Sequence, residues 1–145
     1  MRFHVTLLAL LTAFTSSAAT ISWTNTSGGD WSLAANWEPN QVPASGDTAL
    51  ITNAGTYTVS LDVPATLAEL LFGGDNGTQT LANVSQTLTI HGTGKIGTNG
   101  VFAMSGGSLA GTNLLTLEGP INWSGGSIVG RSRLSGTFNW YAGTL

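Results

Sequence analysis

Cysteine is absent from all 145 residues, so neither disulfides nor thiolate metal sites hold this chain together. Charge is nearly as scarce. Charged residues make up 8% of the sequence, and beyond Arg2 the only basic ones are Lys95, Arg131 and Arg133. A formal net charge of −3 with so few cations gives no electrostatic footing for nucleic acid, which is excluded as a partner class. Only two histidines occur, His4 and His91. Without a second histidine in the body of the chain and without cysteine, there is little from which to build a transition-metal site or a Ser-His-Asp triad, and no cofactor is expected. His91 reads as an ordinary side chain at a strand end. Long apolar runs are also missing: the only one, Val5 to Phe14, is about half of the roughly 20 residues a bilayer crossing needs. No membrane span is expected in the mature chain.

That short run has the flanks of a secretory leader. Arg2 supplies the positive charge ahead of it, and Ser17-Ala18-Ala19 follows with the small residues a signal peptidase accepts. The expected organisation is therefore a signal peptide over residues 1–19, export to the cell surface or medium, and a mature chain from Thr20 that is one domain's worth. Four Asn-x-Ser/Thr sequons, at Asn25, Asn76, Asn83 and Asn122, carry no functional weight, because Asn- and Thr-rich sequences generate them by chance.

What is abundant is Gly, at 20 residues, together with Thr, Ser and Asn. This is a composition of strands and turns, poor in the residues that build helix surfaces. Residues 20–64 are expected to form an N-terminal cap with the first strands, since they hold Trp23, Trp31 and Trp37 and three of the four prolines. Between the tryptophans lie a turn at Thr26 to Asp30 and a helix-like half-turn at Ser32 to Asn36. Strands follow at Thr48 to Thr52 and Thr56 to Asp62. The second alternates strictly, with Tyr57, Val59 and Leu61 on one face and Thr56, Thr58, Ser60 and Asp62 on the other.

From residue 65 to 145 the texture becomes repetitive. Phe102-Ala103-Met104-Ser105-Gly106-Gly107-Ser108-Leu109 aligns with Ile121-Asn122-Trp123-Ser124-Gly125-Gly126-Ser127-Ile128, and then with Phe138-Asn139-Trp140-Tyr141-Ala142-Gly143-Thr144-Leu145. The offsets are 19 and 17 residues. Leu88-Thr89-Ile90-His91-Gly92 also resembles Leu115-Thr116-Leu117-Glu118-Gly119, at 27 residues. Short strands with Gly turns at this spacing predict an all-β fold, a right-handed parallel β-helix (β-solenoid) behind the Trp-rich cap. Because the third copy stops part-way at Leu145, without a polar closing segment, the sequence is expected to be a fragment of a longer protein.

Several of these words carry a family resemblance. Trp31-Ser32-Leu33-Ala34-Ala35-Asn36-Trp37, Val42-Pro43-Ala44-Ser45-Gly46-Asp47 and Gly55-Thr56-Tyr57-Thr58-Val59, with Leu67-Ala68-Glu69-Leu70-Leu71, resemble the opening of bacterial autotransporter-like and adhesin-like secreted β-helix proteins. The same order of words is similar to the extracellular G8 domain. The resemblance implies a β-helix displayed on or released from a bacterial cell, usually without catalysis in its repetitive portion. No catalytic residue is carried over.

The chemistry-bearing residues divide as follows. The acids mostly adjoin Gly, Pro or Asn and are explained by turn chemistry. Asp62 and Glu69 would make a catalytic pair only if their strands were neighbours. Gly73-Gly74-Asp75-Asn76-Gly77 resembles the Gly- and Asp-rich calcium turns of some β-rolls, but it occurs once, and a plain turn with Asn76-Gly77 at positive φ is the favoured reading. Trp123, Trp140 and Tyr141 recur at the repeat's aromatic position and are the candidate ligand-binding residues: exposed, they would stack on sugar rings, and inward, they would fill the core. The core or cap role is favoured for them.

The expected function is thus an exported, non-catalytic structural or adhesive segment with extracellular polysaccharide or a host or cell-surface glycan as the partner class. The alternative is the leading part of a carbohydrate-active β-helix enzyme, a polysaccharide lyase or glycoside hydrolase, whose catalytic residues lie beyond Leu145. A stand-alone β-sandwich binding module is disfavoured by the 17- and 19-residue repeats.

Overall fold

The computed structural model describes residues 17–142. Of the expected leader, residues 1–16, including Arg2 and the run Val5 to Phe14, lie outside the described residues. No helix among the described residues is long and apolar enough to cross a membrane.

The chain winds through three parallel sheets that form the faces of a column. The first face stacks Thr20–Trp23, Thr48–Ile51, Glu69–Phe72, Gly94–Ile96, Leu115–Leu117 and Ser132–Leu134. On the second lie Gly29–Asp30, Tyr57–Leu61, Gln79–Asn83, Gly100–Met104, Ile121–Trp123 and Phe138–Trp140. The third holds Ala65–Leu67, Thr87–Ile90, Ser108–Gly111 and Ser127–Val129. Four successive coils visit all three faces. Every neighbour in these stacks is parallel and comes from the adjacent coil, so the expected parallel β-solenoid is the fold.

Parallel stacking starts at Thr20, beneath Thr48, so residues 20–64 are cap and first coil together. Trp37–Glu38 is the one antiparallel partner described. It covers the outer edge of Thr20–Trp23 and blunts a row of backbone groups that would otherwise lie open. Beneath it, Trp37 meets the rings of Trp23 and Trp31 edge-on at 5.0 and 4.7 Å between centroids. The half-turn expected at Ser32 to Asn36 is a 3-10 turn over Ala34–Asn36. It sends Asn36 inward, where its amide donates to the Asp30 carbonyl and accepts from Asn25 (2.9 Å each).

Each strand turns alternate residues inward, and because the strands stack in register, like positions form interior ladders. One runs Val59, Leu81, Phe102, Ile121, Phe138. Beside it runs Leu61, Asn83, Met104, Trp123, Trp140. The first ladder has no fixed period: its rungs are 22, 21, 19 and 17 residues apart, each coil being shorter than the one before. The 19- and 17-residue alignments are therefore true stacking offsets. The 27-residue alignment is not. Leu88 stacks on Leu109 in the third face, whereas Leu115 stacks on Gly94 in the first, so those two similar words occupy different faces.

The repeated Gly-Gly corner has a steric cause. Gly107 and Gly126 occupy equivalent corners at φ +69° and +93°. A Cβ on Gly107 would lie 2.1 Å from the Gln86 carbonyl oxygen of the coil below.

Candidate functional site

Among the described residues the two second-face ladders run to Phe138 and Trp140. Trp123, with the rung of Phe138 and Trp140 stacked on its strand, is 4% exposed, while Trp140, one rung on, is 54% exposed. Tyr141 is 71% exposed. Of the three residues expected at the repeat's aromatic position, only Trp123 and Trp140 stack on one another, in line with Met104. Tyr141 stands beside them, the residue after the rung, with its N–H donating to the Trp123 carbonyl at 2.8 Å. Among the three candidate residues the structure places Trp123 in the core and Trp140 and Tyr141 at the surface.

Between these rungs and the third face is a hollow of about 440 Å³ lined by Trp123, Ile128, Leu134 and Phe138, with Gly126, Ser127 and Ser132 at its margin. Its lining is mostly apolar, and its wall is a strand surface with a fixed backbone. The Trp123 indole N–H is buried and has no hydrogen-bond partner, and the Trp140 indole N–H donates to the Ala142 carbonyl at 2.7 Å. On the outward side of the same strands, the Asn139 amide donates to Asn122 at 2.9 Å, in the column that runs on through Ala103 and Ala82. Exposed aromatics beside an apolar hollow are parts from which sugar sites are made, because ring C–H faces stack on aromatics; the Asn122 and Asn139 amides lie on the opposite side of the sheet from the hollow.

The acids are dispersed. Asp62 follows the second-face strand Tyr57–Leu61 and Glu69 begins a first-face strand, so the two are not on neighbouring strands and the structure does not assemble the pair. Asp62 instead accepts from both the hydroxyl and the N–H of Ser32. Partial burial pushes its carboxyl up, but these bonds, with backbone N–H groups of Trp31 and Asp62, outweigh it and hold the group below the usual carboxylate range. Glu118 lies 3.4 Å from Lys95 on an exposed face, a pairing of small energetic weight. Asp47 is buried and is treated below. Burial also pushes the Tyr57 hydroxyl up, and that group donates to the Asn53 carbonyl.

Among the described residues no three His, Asp or Glu side chains converge in a metal-binding group. In the Gly73 to Gly77 turn Asp75 is exposed, and the turn is organised by buried Gln79, which accepts from the Gly74 N–H and donates to the Gly55 and Asn76 carbonyls. Gly73 and Gly77 have positive φ there, but Asn76 does not, because its side chain receives the Gly77 N–H without a left-handed backbone. His91 is exposed at the end of Thr87–Ile90, and its carbonyl accepts from Thr112 and Asn113. Comparison with family models, with curated proteins and with solved structures finds no match to this chain.

Proposed function

We propose that this chain is an exported, non-catalytic β-solenoid segment of a bacterial surface or secreted protein, with a structural and adhesive role, that binds carbohydrate through Trp140 and Tyr141. The observation that carries the reading is the exposure of Trp140 and Tyr141 beside a mostly apolar hollow of about 440 Å³. Large aromatics held on a rigid strand end offer contact area at low entropic cost. The leader-like N-terminus and the resemblance to adhesin-like β-helix openings support export and a bacterial surface setting. Trp123 serves this site as its floor.

A glycan-array screen of the secreted chain tests it, run beside Trp140→Ala and Tyr141→Ala variants whose folding is checked by circular dichroism. Saturable binding by the parent chain, weakened tenfold or more in both still-folded variants, is the expected outcome. A folded parent chain that binds no glycan, or one whose binding both variants retain, would remove the carbohydrate site and leave the column as scaffold.

A further inference from the structure

The leader's cleavage point is ambiguous in sequence. Small residues at the two positions a signal peptidase reads are offered by Ser17 and Ala19, cutting before Thr20, and equally by Ser16 and Ala18, cutting one residue earlier. The fold separates the two. Ala19 already belongs to the first coil: its carbonyl accepts from the Thr48 N–H at 2.8 Å, continuing the ladder between Thr20–Trp23 and Thr48–Ile51, and its methyl packs against the core. Ser17 and Ala18 are exposed. A cut before Thr20 would strip a ladder bond from the first strand, whereas a cut before Ala19 removes nothing that packs.

The N–H of Ala19 donates to Asp47 Oδ1 at 2.9 Å. Asp47 is 3% exposed, and its other oxygen accepts from the Ala44 N–H at 2.9 Å. Among the described residues no cationic side chain reaches this carboxylate, the ion pair found there being Lys95 with Glu118. A buried carboxylate held only by neutral amides is under-compensated.

We infer that signal peptidase cleaves between Ala18 and Ala19, and that the α-ammonium group so created pairs with the buried carboxylate of Asp47. The inference rests on the export reading given above. Hydrolysis of the Ala18–Ala19 amide by water leaves a carboxylate on the departing leader and an amine on Ala19, which takes up a proton at neutral pH. The amide donor at Asp47 Oδ1 thereby becomes a cationic donor at the same place, and the strand is held more tightly in the processed chain than in the precursor. Asp47 is a positioning residue for the mature N-terminus. Its backbone is already fixed, because the Asp47 carbonyl accepts from the N–H groups of Ala68 and Glu69 in the next coil.

Two measurements test this. The first is the intact mass and N-terminal sequence of the chain secreted from a bacterial host. Ala19 as first residue is expected, and Thr20 or any other first residue in a processed chain overturns the cleavage assignment. The second is thermal melting of a chain released with Ala19 free from a leaderless fusion, compared with the same chain acetylated at Ala19. Acetylation keeps the N–H donor and removes the charge, as in the precursor. It is expected to lower Tm by about 10 °C in the parent chain and by less than about 2 °C in Asp47→Asn. Equal shifts in the two backgrounds overturn the ion pair. A chain that is not exported, or is exported with residues 1–18 attached, overturns the export reading and the cleavage with it, while the acetylation result still decides the pair by itself.

Discussion

Replacing Trp123 by Ala is expected to cost about 3–5 kcal/mol and to lower Tm by about 10–20 °C, whereas the same replacement at Trp140, its partner one coil on, costs at most about 1 kcal/mol. Both residues occupy one ladder and one register, so the chemistry of the change is identical. Only the layer differs. Trp123 has Met104 below it and Phe138 against it at 5.8 Å between ring centroids, and its removal opens a void inside a packed column. Trp140 is exposed, and its removal uncovers little that is not already in water. Parallel melting curves of the two variants check this. Equal losses would mean that the last coil is packed as tightly as the one before it.

The second large effect is expected at the opposite end. Trp37→Ala removes two edge-on ring contacts and leaves the Trp31 carbonyl without the indole N–H that Trp37 donates to it at 2.8 Å. The combined loss is about 4–6 kcal/mol by cavity and unsatisfied-group costs together. Because Trp37–Glu38 also covers the edge of Thr20–Trp23, the loss is concentrated there. Amide hydrogen exchange is expected to speed up across residues 20–23 and 48–51, with residues 81–104 still protected, since stacked coils touch only their neighbours. Uniform acceleration throughout would show that the column melts as a single unit.

Much of this fold was legible in the sequence because stacking in register leaves a written trace. The words beginning at Phe102, Ile121 and Phe138 are similar since each residue lies on its counterpart and shares its surroundings. Tyr57, Val59 and Leu61 were assignable to one face because a single strand's alternation suffices. The failures share one cause. Three-residue strands such as Gly94–Ile96 and Ser132–Leu134 carry too little pattern to be placed, and one shared word, Leu-Thr with an aliphatic residue, fits two faces. Coil lengths that shrink along the chain hide the period.

The candidate site was only half legible. That Trp123 and Trp140 share a column follows from the repeat, but which is buried depends on what lies above each, and no local pattern states this. Asp47 looked like a loop acid because Gly46 precedes it. Its partner, the Ala19 N–H, is 28 residues away in sequence, at a distance that only the first coil closes. The partner of Asp62 was hidden for the same reason: Ser32 belongs to the preceding coil.

The register itself is tested most directly by acrylamide quenching of tryptophan fluorescence in the purified chain. Trp23, Trp31, Trp37 and Trp123 are buried and Trp140 is not, so one readily quenched component is expected, and it should vanish in Trp140→Phe. A quenchable component that persists in that variant, or a parent chain with none, would contradict the placement of four tryptophans inside the column and one at its surface.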